Sequence, residues 1–343
     1  MARERRRLLI PPGRLASRIA LSPPERHYLT RVLRLAVGQG CDVVDGAGHR
    51  WGALLAADGF LALEQPLAAP LEAHPPPAPC LELALALPRQ DVEVAWRMAT
   101  ELGIDRLQPL LADRCQQRER WPLERWHAIL REASEQCERL WLPELAEPLV
   151  AQAWLAEAGG APGPAGFTGD PWLTQAGEGA PRIGPDEGFT VTAPRGRELN
   201  LLASSRGDQL PLLPHLLQAA TGLGKDGTAP ERGPTPQEQE PAALRDGRGH
   251  HTTGQTKTTA AAALNTTRQG LGPDPGPRRV RLAIGPEGGW SPAEEETARV
   301  QGWIAVSAGP TILRTSTAAV AAAAWLTGWR AALSSSSSPW PVP

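Results

Sequence analysis

The sequence predicts an α/β protein with a small β-rich unit in front of a larger layered domain. Three observations carry that reading. Leu81, Leu83, Leu85 and Leu87 alternate with Glu82, Ala84 and Ala86, the period of a strand, and Asp91–Leu102 follows with helical spacing. The same strand-then-helix order returns near the C-terminus, at 280–301 and again at 303–330, which argues for layers of helix on sheet. Between the two units, Ala73-His74-Pro75-Pro76-Pro77-Ala78-Pro79 reads as a stiff linker, because consecutive prolines favour an extended chain.

The elements follow in order. Leu8–Ile10 is a short strand. Ser22-Pro23-Pro24-Glu25 has the residues of a capping box, with proline in the first turn, so a helix starts there, carries His27, Tyr28 and Arg31, and ends before Gly38. Cys41–Val44 and Arg50–Ala56 flank Asp45-Gly46, a hairpin signal. Past the linker, Leu107–Leu111 is a strand and 123–141 a helix with Trp126, Ile129, Leu130, Ala133 and Leu140 on one side. Trp96, Trp126 and Trp325 fall at helical positions expected in the core. The regularity stops over about 155–197, rich in Gly, Ala and Pro. Leu199–Ala203 is then a strand, and Pro211 and Pro214 confine any helix in 210–219 to its later part. Residues 222–279 hold four Leu and no Phe, Tyr, Trp, Ile or Val in 58 positions, too little apolar surface to offset the entropy of ordering, so disorder is expected. Val280, Leu282 and Ile284 form a strand, Ser291-Pro292-Ala293-Glu294 opens a helix, Trp303–Val306 is a strand, and Thr315–Arg330 is an alanine-rich helix before a tail at 331–343.

Composition excludes several classes. The 343 residues are 41% hydrophobic, enough for a sizeable core. No apolar run approaches the ~18–20 residues of a membrane span, and Leu8-Leu9-Ile10 is too short for a signal-peptide core; a soluble, cytoplasmic protein without membrane association is expected. Cys41, Cys80, Cys115 and Cys137 are spaced for neither zinc nor a disulfide framework, so no metal is expected. Net charge is −2, yet residues 1–34 carry nine arginines against two glutamates, a basic lobe suited to a polyanion.

The chemistry points to 284–318. Two strands each end in a glycine-containing loop followed by a helix, and ligands of open α/β sheets sit outside the carboxyl ends of strands. Gly285, Gly288 and Gly289 permit close backbone approach to a ligand, although a tight turn would use the same residues. Thr311–Leu313 places apolar side chains between Gly309-Pro310 and the cation Arg314. Apolar walls, backbone donors and one fixed charge suit a nucleoside-bearing ligand; Ile312 and Leu313 as core, with Arg314 as a surface charge, is the alternative.

These residues carry a resemblance. Ile284-Gly285-Pro286-Glu287-Gly288-Gly289-Trp290-Ser291 and Ala308-Gly309-Pro310-Thr311-Ile312-Leu313-Arg314-Thr315 resemble the RsmE family of 16S ribosomal RNA (uracil-N3)-methyltransferases in the SPOUT superfamily. Tyr28–Arg34 with Gly38 and Asp45-Gly46, Ala99–Ile104, and Glu132–Arg139 with Pro143 are similar to three further family motifs in the same order. The resemblance covers 8–150 and 280–330. The departures are Arg89 for a usual Lys, Ser316 for an acidic residue, Ala308 for Leu and Thr311 for Arg.

The resemblance implies a PUA-like β-barrel RNA-binding domain at 1–72, the linker at 73–79, and a SPOUT α/β domain with a deep trefoil knot at 80–330, interrupted by the insertions at 155–197 and 222–279. It implies S-adenosylmethionine held by Ile284, Gly285, Pro286, Gly288, Gly289, Gly309, Ile312, Leu313 and Thr315, with no metal. Arg314 and Glu287 are the implied catalytic pair, and Arg31, Arg34, Arg89 and Arg139 the implied contacts to 16S rRNA in the small ribosomal subunit. A homodimer is implied as well. Another SPOUT RNA methyltransferase, or a non-catalytic RNA-binding assembly factor, remains open.

Overall fold

The computed structural model describes residues 5–115, 121–157, 198–204, 210–220 and 277–336. The N-terminal domain comprises β1 (Arg7–Leu9), β2 (Arg18–Ala20), α1 (Pro23–His27), β3 (Gly40–Val44), β4 (His49–Leu55), β5 (Phe60–Leu63) and β6 (Glu72–Ala73). Its sheet has the order β1-β3-β4-β5-β2, with β6 on β4, and only β1–β3 is parallel. The capping box expected at Ser22 forms: Glu25 N donates to Ser22 Oγ, and Glu25 Oε2 accepts from Ser22 N at 2.8 Å. Asp45 Oδ1 accepts from Ala47 N at 2.7 Å and His49 N at 3.0 Å, which closes the hairpin at Asp45-Gly46.

The helix that starts at Ser22 carries His27, Tyr28 and Arg31 and ends before Gly38, as expected. A wider turn, Tyr28–Val32, extends α1, and the chain leaves it at Leu33 with Arg34 in the left-handed region at φ +54°. Arg31 and Arg34 are both exposed but do not share a helical face.

The second domain comprises β7 (Cys80–Ala86), α2 (Val92–Leu102), β8 (Arg106–Leu111), α3 (Leu123–Gln136), β9 (Glu144–Leu145), β10 (Leu149–Val150), α4 (Ala151–Ala156), β11 (Glu198–Ala203), α5 (Leu213–Ala220), β12 (Arg279–Ile284), α6 (Pro292–Val300), β13 (Ile304–Val306) and α7 (Thr315–Ser336). The sheet order is β10-β8-β7-β12-β11-β13, every pair parallel. A parallel sheet needs both faces covered. The leucines of β7 pack with Trp96, Trp126 and the buried faces of α5 and α7, while Ala84 and Ala86 face α4 and α6. The leucine–alanine alternation therefore marks two buried faces of different depth, since all seven residues of β7 are buried.

Several boundaries differ from expectation. Helix α3 stops at Gln136 rather than 141: Glu138 turns left-handed at φ +61°, and Arg139 N closes the end on Ser134 O at 3.0 Å. Leu140 packs instead between the domains, against Leu9 and Val44. The junction is reinforced by Leu9 N donating to Glu135 Oε1 at 2.8 Å, and by backbone bonds of Gly48 and Leu142 across it. Ala73 belongs to β6, not to the linker. The insertion expected from 155 begins later, because Leu155 is fully buried in α4; its remainder, 158–197, lies outside the described residues. The segment expected to be disordered lies outside them as far as 276, and Arg279 already belongs to β12. Helix α7 continues through Ser336, where a tail from 331 was expected; Ala331, Ala332 and Leu333 favour continuation. Trp96 and Trp126 are buried, but Trp325 is 49% exposed on α7.

Candidate functional site

The carboxyl ends of β11, β12 and β13 meet in one open cleft. The two late glycine loops form its walls. Of the residues singled out in the sequence, Ile284, Gly285, Pro286, Glu287, Gly289, Ile312, Leu313 and Thr315 line it. Thr315 Oγ1, at the start of α7, donates to Gly285 O at 3.0 Å and ties one loop to the other. Thr315 is buried at 3% exposure, whereas Ile312 is 82% exposed at the rim.

Local geometry explains the glycines. A Cβ on Gly285 would lie 3.0 Å from the indole of Trp290, so the backbone there must be bare for the ring to close under it. Trp290 is in turn fixed by Nε1 donating to Ala203 O at 2.9 Å. Gly289 adopts φ +71°, and its N donates to Pro286 O at 2.8 Å to complete the turn. Among the described residues, the backbone N–H groups of Thr311, Ile312 and Leu313 donate to no protein acceptor. They are donors left for a ligand or water.

A third loop, following β8, braces the site. Glu294 is 1% exposed; its carboxylate accepts from Ser291 N at 2.7 Å and from Asp113 N at 2.9 Å. Ser291 Oγ donates to Asp113 Oδ2. Arg114 Nη1 donates to Gly288 O at 2.8 Å and to Trp290 O at 2.9 Å. Burial pushes the neighbouring Cys115 thiol above its ordinary range, and the carboxylates of Glu294 and Glu287 add to that, so it stays protonated and is no nucleophile.

Other expected site residues lie elsewhere. Gly288 and Gly309 belong to the loops but do not line the cleft: Gly288 is exposed, with its carbonyl held by Arg114, and Gly309 is engaged with Ser307 at 2.6 Å through its carbonyl. Arg314 is exposed one residue before the buried Thr315 and outside the lining; its side chain has no ion pair among the described residues. Arg89 is exposed beyond the carboxyl end of β7, the same end of the sheet as the cleft.

Arg139 is a correction. It was expected to meet RNA, but it is largely buried at the opposite end of the sheet. There Nη1 donates to Thr100 O and Ile104 O, both at 2.7 Å, and Nη2 lies 3.4 Å from Asp105. Arg330 shares the Asp105 carboxylate and caps Gly103 O at 2.7 Å. Arg139 thus secures the ends of α2 and α3, and its guanidinium is spent on that work.

Sequence reasoning missed Ser204, Glu295 and Ser307 in the lining, and Asp113 and Arg114 behind it. Glu295 and Ser307 adjoin the recognised motifs, whereas nothing local to Asp113-Arg114 signals its partner 175 or so residues away, at Gly288 and Trp290. Among the described residues, no group of three His, Cys, Asp or Glu could hold a metal, and no helix is long and apolar enough to cross a membrane.

Comparison with known proteins agrees with this architecture. The family model for an RNA methyltransferase domain matches residues 75–162 and 249–327, and that for an RNA methyltransferase PUA domain matches 21–60. The ribosomal RNA small subunit methyltransferase E of Synechocystis sp. is 39% identical over 159 residues, 45% of this chain and 51% of that protein. Its counterpart from Rickettsia conorii is 35% identical over 130 residues, 38% of this chain and 52% of that protein. The chain thus spans about half the length of the curated relatives it matches. A Legionella pneumophila methyltransferase solved with bound SAM shares the fold at TM-score 0.57 and 20% identity, covering 95% of this chain and 98% of that one. A Neisseria gonorrhoeae ribosomal RNA small subunit methyltransferase E bound to S-adenosyl methionine does so at TM-score 0.54 and 20% identity, over the same shares.

Proposed function

We propose that the chain is an RNA methyltransferase like the ribosomal RNA small subunit methyltransferases E that it resembles, and that it methylates N3 of a specific uridine in 16S rRNA, using S-adenosylmethionine, within the small ribosomal subunit. The observation that carries the reading is the single cleft made by the two glycine loops, with Thr315 bonded to Gly285 and the N–H groups of Thr311–Leu313 unspent. The residues present fit a methyl donor. The walls mix apolar and polar surface, the main-chain N–H groups of Thr311–Leu313 are unspent, and among the described residues of the lining the charged ones are Glu287 and Glu295, which suits a ligand bearing a sulfonium.

When bound, S-adenosylmethionine supplies an electrophilic methyl group without need of a metal. The protein's work is then positioning. Gly285, with Trp290 beneath it, lets the main chain close on the donor, and Ile312 and Leu313 shield it from water. The target N3 lies on the Watson–Crick edge, so the uridine must be unpaired or extruded and must lose its N3 proton. Arg314, a fixed charge beside the cleft, stabilises charge that builds on a uracil oxygen. Glu287, at the loop tip, orients the loop or accepts a hydrogen bond from a ligand.

Arg31 and Arg34 on the N-terminal domain, and Arg89 at the cleft end of the sheet, hold rRNA phosphates. The N-terminal sheet closes as a PUA-like barrel, and the loops 285–289 and 308–315 thread as a deep trefoil knot; β11 lying between β12 and β13 supports that threading. The enzyme works as a homodimer in the cytoplasm. Two observations support the dimer: α7 leaves Thr317, Ala324, Trp325 and Gly328 exposed as a strip of mostly small residues, and the N-terminal domain docks on α3 at the end of the sheet away from the cleft. A second copy would bring an RNA-binding domain to each cleft.

The test is methyl transfer to assembled small subunits and to naked 16S rRNA, with the product identified by mass spectrometry. N3-methyluridine on assembled subunits is the expected product. A methyl group on a ribose 2′-oxygen or on another base would contradict the N3 assignment, and failure both to bind the donor and to transfer methyl would contradict the enzymatic reading.

A further inference from the structure

We propose that Glu295 recognises the amino-acid end of the methyl donor by accepting a hydrogen bond from its α-ammonium group; this rests on the reading of the cleft as a donor site. Three consecutive glutamates, Glu294, Glu295 and Glu296, occupy the first turns of α6. Glu294 is consumed by the capping box and by Asp113 N. Glu296 points to solvent and pairs with Arg299 at 2.6 Å. Glu295 is half-buried, lines the cleft, and among the described residues its carboxylate has no hydrogen bond and no ion pair.

A half-buried carboxylate with no partner is costly unless a ligand or water satisfies it. Among the described residues of the lining, none is Arg, Lys or His. Glu287, the other carboxylate, sits exposed at the tip of a loop. Glu295 stands on a helix fixed at its start by Ser291, Glu294 and Asp113, so its position is set before the ligand arrives. Preorganised groups lose little entropy on binding, which favours Glu295 over Glu287 as the recognition group.

The test is calorimetric, on the full-length protein, with two neutral-sulfur nucleosides. S-adenosylhomocysteine has the α-ammonium; 5′-methylthioadenosine has the same nucleoside but no amino-acid end. Glu295→Gln keeps shape and removes the charge. It is expected to weaken S-adenosylhomocysteine roughly tenfold or more, the value of a charge-assisted hydrogen bond, and to leave 5′-methylthioadenosine within about twofold of wild type. An unchanged thermal melt establishes that the variant folds. Equal weakening of both nucleosides, or of neither, overturns the proposal while leaving the donor site intact. Wild-type protein that binds neither nucleoside overturns the donor-site reading itself, and the proposal with it.

Discussion

Replacing Thr315 by valine tests the bond that makes two loops into one cleft. Valine has the shape of threonine, so the packing of a side chain that is 3% exposed is kept and the donor to Gly285 O is removed. A buried carbonyl stripped of its partner costs about 1–3 kcal/mol. Gly285 is only half-buried, so water recovers part of that and the lower half of the range, about 1–2 kcal/mol, is expected. For a domain of this size that is a fall in melting temperature of roughly 2–8 °C. The loops would also lose their fixed separation, so the affinity for S-adenosylhomocysteine should drop several-fold. Thr315→Ser keeps the hydroxyl and should bind near normally. Scanning fluorimetry and titration calorimetry read both quantities. A valine variant that melts and binds as the wild type does would show that the bond does not shape the cleft.

The other expected outcomes are these. Arg314→Ala should fold normally, since the side chain is exposed and unpaired among the described residues, yet slow methyl transfer by roughly 10²-fold; near-normal turnover would remove Arg314 from the site. Burial pushes the Glu25 carboxyl up, but hydrogen bonds from Arg14 and from Ser22 outweigh it and hold the pKa at about 2, below the ordinary 4.5. A depressed carboxylate stabilises the fold above its ordinary pKa and loses that contribution as pH falls toward about 2. Glu25→Gln should therefore be less stable than wild type near neutral pH, with the difference in melting temperature vanishing in strong acid. Gly48→Ala places a Cβ 2.4 Å from His74 O and 2.7 Å from the Trp141 ring at φ +98°, and should destabilise the domain junction by about 2–4 kcal/mol in chemical denaturation.

What could be read in advance depended on the range of the interaction. The capping boxes at Ser22 and Ser291 are local, three residues from donor to acceptor, and both form as the residues suggest. The two glycine loops were legible because motif residues are contiguous; their meeting is set by the sheet order, which places β12 and β13 parallel on either side of β11. The end of α3 was not: Cys137-Glu138 gives no glycine to mark the left-handed turn that the structure places at Glu138. Arg139 misled for a different reason. A sequence does not say whether an arginine faces solvent, and here Asp105 and two carbonyls more than 30 residues away consume it. Trp325 reads as core by spacing, but the described neighbours of α7 leave it uncovered. The brace of Asp113 and Arg114 against 288–294 is set by the sheet order, which places β8 two strands from β12.

The most direct measurement is hydrogen exchange at single-amide resolution, with and without S-adenosylhomocysteine. Slowed exchange is expected at both 285–289 and 311–313, together and at the same ligand concentration, because one molecule is held by the main chain of both loops. Protection confined to one loop, or appearing in another part of the protein while both loops exchange unchanged, would contradict it.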